Sequence, residues 1–136
     1  ALRDEPITVY GSGDQSRCFG HVKDAVEGLL RLMATDAAVG EVFNVGSTQE
    51  VTIRALAEQV RDAAGSRSDI VLVPYGEAYA AGFEDMMRRV PDVTKLERVT
   101  GFRPATSLDV IIRDVVDDQR TRMAGSGGTP LASLRS

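Results

Sequence analysis

The stretch Pro6-Ile7-Thr8-Val9-Tyr10-Gly11-Ser12-Gly13-Asp14-Gln15-Ser16-Arg17-Cys18-Phe19-Gly20-His21-Val22-Lys23-Asp24 decides how this chain is read. Ile7 to Tyr10 has the β-branched and aromatic content of a short strand. Gly11-Ser12-Gly13-Asp14 then supplies turn residues, and residues 17–22 read as a second strand, so the pair predicts a hairpin. Gly-x-Gly after a strand invites comparison with the dinucleotide fingerprint G-x-G-x-x-G. The third glycine position holds Ser16, and a strand-like run follows where a helix N-terminus would have to hold a pyrophosphate. The motif is therefore a turn, not a cofactor cradle.

Arg17 sits just past that turn, and a second arginine motif, Arg88-Arg89-Val90-Pro91-Asp92, lies far downstream. The planar guanidinium fork matches phosphate oxygens, so the two motifs suggest a clamp on a phosphorylated ligand. Each has a plainer reading. Arg17 is equally suited to a surface ion pair with Asp14, and Arg88 and Arg89 to pairs with Glu84 or Asp85.

Length and composition bound the rest. A chain of 136 residues with 43% hydrophobic and 26% charged residues is one ordinary globular domain with a real core. A net charge of −4 with no basic stripe argues against a nucleic-acid partner. Cys18 is the single cysteine and His21 the single histidine, which leaves no disulfide and no cysteine- or histidine-based metal site. Cys18 reads as a small packed hydrophobe. With no signal peptide and no run of about 18 apolar residues, a cytoplasmic chain with no membrane partner is expected.

The remaining elements interleave. Apolar residues at Val22, Val26, Leu29, Leu30 and Met33 predict an amphipathic helix, and residues 41–45 between Gly40 and Gly46 a strand. Thr52 is an N-cap for a helix through Ala64 stopped by Gly65, and Ile70 to Val73 is a strand closed by Pro74. Residues 75–91 show no period and read as a long functional loop. Asp92 caps a short helix ended by Gly101, and Ser107 caps a last helix with Leu108, Ile111, Ile112, Val115 and Val116 on one side. The expected domain covers residues 1–123, with residues 124–136 a Gly/Ser-rich flexible tail. The class is α/β, mixed α+β, with short strands and about four helices and no complete Rossmann fold.

The opening stretch resembles the P-x-x-V-Y-G-x-G-x-Q-x-R-x-F-x-[YH]-V-x-D segment of the extended short-chain dehydrogenase/reductases, the NAD-dependent nucleotide-sugar epimerases, dehydratases and decarboxylases. The resemblance continues in order through Val42-Phe43-Asn44-Val45-Gly46, Thr52-Ile53, Arg88-Arg89-Val90-Pro91-Asp92 and Gly101-Phe102-Arg103-Pro104, covering about residues 5–120. It implies that Val9 and Tyr10 line the nucleotide base pocket, that Arg17 contacts ribose or phosphates, and that Arg89 binds the diphosphate, with Arg88 the substitute should the register slip by one. It also implies that Gln15 supports the turn. His21 reads as a packed strand residue, Asp24 as a helix N-terminal charge, and Asn44 as structural beside the cleft.

The chain departs from the family in two ways. There is no G-x-x-G-x-x-G, and Tyr10, Tyr75 and Tyr79 are each followed four positions on by a residue other than lysine, so the Tyr-x-x-x-Lys pair is missing. The resemblance thus implies the carboxy-terminal, substrate-binding part of such an enzyme, gripping a UDP- or dTDP-sugar, with no catalytic residue of its own and with NAD belonging to the longer parent. The first residue, Ala1, fits a fragment. The expected partners are a nucleotide sugar and either the absent Rossmann half or another copy of the chain, because uncovered strand edges and apolar surface favour a homo-oligomer. The alternative is a stand-alone, non-catalytic module that binds a nucleotide or a protein.

Overall fold

The computed structural model describes residues 1–75 and 86–125. Strand β1 (Ile7–Tyr10) is followed by β2 (Ser16–Cys18), helix α1 (Val22–Met33) and a 3-10 turn at Asp36–Ala38. Then come β3 (Glu50–Thr52), α2 (Ile53–Ala63), β4 (Ile70–Val73), α3 (Thr94–Thr100) and α4 (Leu108–Gly125). This is the mixed α/β architecture expected, with four helices lying wholly within the described residues.

The hairpin does not form. β1 pairs in parallel with β4, Ile7 opposite Ile70 through Tyr10 opposite Val73, whereas β2 pairs antiparallel with β3, Ser16 opposite Thr52 and Cys18 opposite Glu50. The turn itself separates them. Gly11 and Gly13 both take positive φ, 71° and 78°, which only glycine adopts cheaply. Val9 is 1% exposed beneath that turn, and the buried Gln15 donates from Nε2 to Tyr10 O and Tyr75 Oη, each at 2.9 Å. The turn thus hands the chain from one sheet to the other.

The helix punctuation reads as expected. Thr52 Oγ1 accepts from Ala55 N at 3.1 Å, and Gly65 (φ 60°) and Gly101 (φ 67°) follow α2 and α3 in the left-handed region. At α3 the N-cap is Val93 and not the expected Asp92, which stands one residue earlier and accepts through Oδ1 from Thr94 N at 2.9 Å. The second strand expected over 17–22 is shorter, because Val22 already begins α1. The strand expected over 41–45 has no ladder partner among the described residues, since both sheets are two-stranded and neither reaches it. Lys95 holds that segment instead, donating from Nζ to Glu41 Oε2 at 2.7 Å and to Val42 O at 3.0 Å. The helical conformation of α4 runs to Gly125 and so takes up the first two residues of the expected tail, and most of the expected loop over 75–91 lies outside the described residues.

The core is small. Ala64 of the α2 C-cap packs with Ile112 and Val116 of α4, and Leu56, Val60 and Leu108 close around them. Leu96 of α3 is fully buried and Val93 nearly so. Among the described residues no helix is long and apolar enough to cross a membrane.

Candidate functional site

Three segments converge on a cavity of about 730 Å³: residues 17–21 leaving β2, residues 44–47, and residues 89–92 leading into α3. They come close at two glycines, where an added Cβ would make only ordinary contact. A Cβ on Gly20 would lie 3.6 Å from Ser47 N, and one on Gly46 would lie 3.5 Å from Pro91 Cγ. Asn44 fastens two of the walls by donating from Nδ2 to Asp92 O at 3.0 Å, the structural role expected of it.

Arg17 and Arg89, far apart in sequence, both line this cavity, and backbone register explains why. Ser16 and Arg88 form a parallel bridge, secured by Ser16 N donating to Met87 O at 2.8 Å. One residue further along each segment, Arg17 and Arg89 are therefore neighbours. Side chains alternate across an extended backbone, so Arg17 and Arg89 share one side while Ser16 and Arg88 share the other. On that other side Glu50 collects both: Ser16 Oγ donates to Oε2 at 2.9 Å, and Arg88 Nη2 to Oε1 at 2.6 Å with Nε to Oε2 at 3.0 Å. The Arg88 hydrogen bonds hold the Glu50 carboxyl below its ordinary value, and the same pair raises Arg88. Arg88 is thereby committed to a bidentate carboxylate and lies outside the cavity lining.

Arg17 is held in place while it lines the cavity. Its Nη1 donates to Ser16 O and to Met86 O, each at 2.7 Å, which ties β2 to the segment carrying Arg89. A guanidinium oriented in advance loses less freedom when it meets a phosphate. Val9 and Tyr10 are not brought here. The side chain of Val9 is core, and only Tyr10, 40% exposed at the end of β1, offers surface. The burial of Val9 follows from Gly13 folding back over it, since a Cβ there would meet Val9 Cγ1 at 2.8 Å.

Other lining residues fix the walls. His21 is packed, at 8% exposure, but as the N-cap of α1 and not as a strand residue. Its Nδ1 accepts from Lys23 N at 3.0 Å, so the ring proton sits on Nε2, which donates to Asp114 Oδ2 at 3.1 Å. Asp24, in the first turn of α1, accepts from Thr106 N at 2.9 Å and so secures the loop before α4. Cys18 lines the cavity too, and burial pushes its thiol above the ordinary value, away from the reactive thiolate. Motif reading did not single out Phe19, Ser47 or Pro91 as lining residues; only the meeting of the three segments brings them in.

The Gly11–Gly13 turn does not fit a dinucleotide. Gly11-Ser12-Gly13 leads into β2 and not into a helix N-terminus, and the space beside Gly13 is filled by Val9 and Arg54 of the chain itself. No cluster of three or more metal-ligating side chains occurs among the described residues.

Residues 1–115 match the family described as GDP-mannose 4,6 dehydratase. The UDP-N-acetyl-alpha-D-glucosaminuronate decarboxylase of Bacillus cytotoxicus is 38% identical over 116 residues, which is 85% of this chain and 36% of that protein. UDP-glucuronic acid decarboxylase 2 of Arabidopsis thaliana is 40% identical over 125 residues, 92% of this chain and 26% of that protein. Among solved structures, the UDP-glucose 4-epimerase of Thermotoga maritima with UDP-glucose superposes with a TM-score of 0.78 at 26% identity, over 90% of this chain and 37% of that one. The chain thus spans about a third or less of the length of the relatives it matches. On this match, and with a fold shared with the epimerase, the chain belongs to the GDP-mannose 4,6 dehydratase family, within the extended short-chain dehydrogenase/reductases.

Proposed function

We propose that this chain is the substrate-binding portion of an NAD-dependent nucleotide-sugar epimerase, dehydratase or decarboxylase, and that Arg17 and Arg89 grip the diphosphate of a UDP- or dTDP-sugar. One observation carries the reading: the two arginines sit in register on neighbouring segments and line one cavity, while Arg88 is neutralised by Glu50. Two forks on one side of a cleft suit a ligand with about two negative charges, and each charge-assisted contact contributes about 1.5–3 kcal/mol. Tyr10 and the backbone at Val9 lie at the end of β1, before the turn leading to Arg17, and would meet the base end only if the ligand extends past the cavity.

The chain binds and does not react. The chemistry needs a proton-transferring pair and a nicotinamide cradle, and the described residues supply neither arrangement. UDP is the preferred nucleotide because both decarboxylase relatives and the superposed epimerase carry UDP-sugar names.

Backbone amide mapping tests the reading. UDP added to isotope-labelled chain should move resonances of residues 17–21, 44–47 and 89–92 as one group. UDP-glucuronic acid with NAD should give no product. Shifts confined elsewhere, or turnover by this chain alone, would refute the proposal.

A further inference from the structure

Helix α1 buries few of its apolar side chains. Val22, Val26, Leu29, Leu30 and Met33 are all exposed, and the one buried residue of the helix is Gly28. Its polar ties are gathered in the first turn, where the cavity wall of residues 17–21 ends. That wall is fixed at its start, because Arg17 and Cys18 belong to the ladder with β3, opposite Val51 and Glu50. Phe19 and Gly20 lie beyond the ladder, so the other end depends on what holds His21. His21 reaches in two directions. Nδ1 accepts from Lys23 N and caps the helix, and Nε2 donates to Asp114 Oδ2 at 3.1 Å from a ring only 8% exposed. Asp114 stands on α4 between Ile112 and Val116, the two buried residues of that helix, which pack with Ala64. Positions two apart on a helix do not face the same way. Helix α4 therefore turns its buried residues to the core on one side and Asp114 to His21 on another.

We propose that Asp114 is a positioning residue for nucleotide binding, acting through His21 to pin the cavity wall to α4; this role rests on the proposed nucleotide site. Asp114 does not line the cavity, whereas His21 does, so what Asp114 does to a ligand passes through His21. The contact is suited to positioning. A hydrogen bond from a buried ring to a carboxylate is short and directional. Lys23, the other cation near Asp114, is 82% exposed and 4.0 Å away, and offers only a weak, screened attraction. Asp24 repeats the arrangement three residues on, accepting from Thr106 N at 2.9 Å. The far end of the wall is thus joined at two points to α4 and the loop before it. Arg17 lies four residues before His21 in the same wall, so loosening that end costs the guanidinium its preset aim.

UDP titration and backbone nitrogen relaxation of the 136-residue chain test the role together. Asp114→Ala should weaken UDP binding about fivefold or more and lower the order parameters of Phe19 and Gly20. Asp114→Asn keeps an oxygen that accepts from Nε2, so it should restore the order parameters and bring affinity within about twofold of wild type. His21→Asn keeps a helix cap but is too short to reach Asp114. It should match Asp114→Ala, and the double variant should lose no more than either single one. Asp117→Ala, on the same helix and paired with Arg120 at 3.7 Å, should change neither readout. A wild-type chain that binds no UDP refutes the nucleotide reading and this role with it. UDP binding that Asp114→Ala leaves at the wild-type value, with only the melting temperature lowered, marks a purely structural pair and overturns the role alone. A loss in His21→Asn that Asp114→Ala does not share overturns it too, by setting His21 directly against the ligand.

Discussion

At the scale of single residues, only one of two adjacent arginines lines the cavity. Sequence motif alone left Arg88 and Arg89 a register slip apart. The Ser16–Arg88 bridge separates them, because alternation then sends Arg89 with Arg17 and Arg88 toward Glu50. The diversion of Arg88 was illegible in the sequence: Glu50 lies in a different element, and nothing local advertises the pairing. Arg88→Ala should therefore change nucleotide affinity less than threefold while loosening the β2 edge, checked by titration beside a thermal melt. Its stability cost should be small, because the pair is exposed and screened by solvent. Gly11 is a sharper case. It takes φ of 71°, and an added Cβ would overlap the Tyr75 ring, so Gly11→Ala should destabilise by about 2 kcal/mol or more in chemical denaturation.

At the scale of elements, local punctuation was legible and long-range pairing was not. Thr52, Gly65 and Gly101 mark helix ends because capping and left-handed termination are properties of a few consecutive residues. The predicted hairpin failed because two strands close in sequence each found a distant partner, β1 in residues 70–73 and β2 in residues 50–52. Likewise, the 3.6-residue period of α1 reveals an apolar stripe but cannot say which way it faces. Thr52→Ala removes one capping acceptor at the start of α2 and should lower stability by about 1 kcal/mol, read from the urea midpoint with the slope unchanged. Because Thr52 also pairs with Ser16 across β2 and β3, amide exchange at Ser16 to Cys18 should rise with it.

At the scale of the whole molecule, buried and exposed apolar residues are out of balance. Seven hydrophobic residues form the core among the described residues, against fourteen large hydrophobics left exposed. A chain of this size with so small a core has little stability in reserve. Its surface carboxylates become significant at low pH. Asp4, Glu41, Glu50 and Asp92 are all held below their ordinary values, by the Arg67 backbone N–H, by Lys95, by Arg88 and by Thr94 respectively. A lowered folded value means that the ionised form is favoured by folding. That stability is complete above the unfolded values of 3.8 and 4.5 and drains away as pH falls through the lowered ones. Melting temperature should be flat from about pH 7 to 5 and drop below about pH 4, with added salt blunting the exposed ion pairs.

The central claim, two arginines on one diphosphate, is tested most directly by calorimetric titration of UDP against the wild-type chain, Arg17→Ala, Arg89→Ala and the double variant. Each single variant should weaken binding by about 10–100-fold, and the double variant should fall short of the summed loss, since both forks hold one ligand. Uridine, which lacks the diphosphate, should bind weakly and show no difference among the four proteins. UDP binding that survives both substitutions, or uridine binding that falls with them, would contradict the claim.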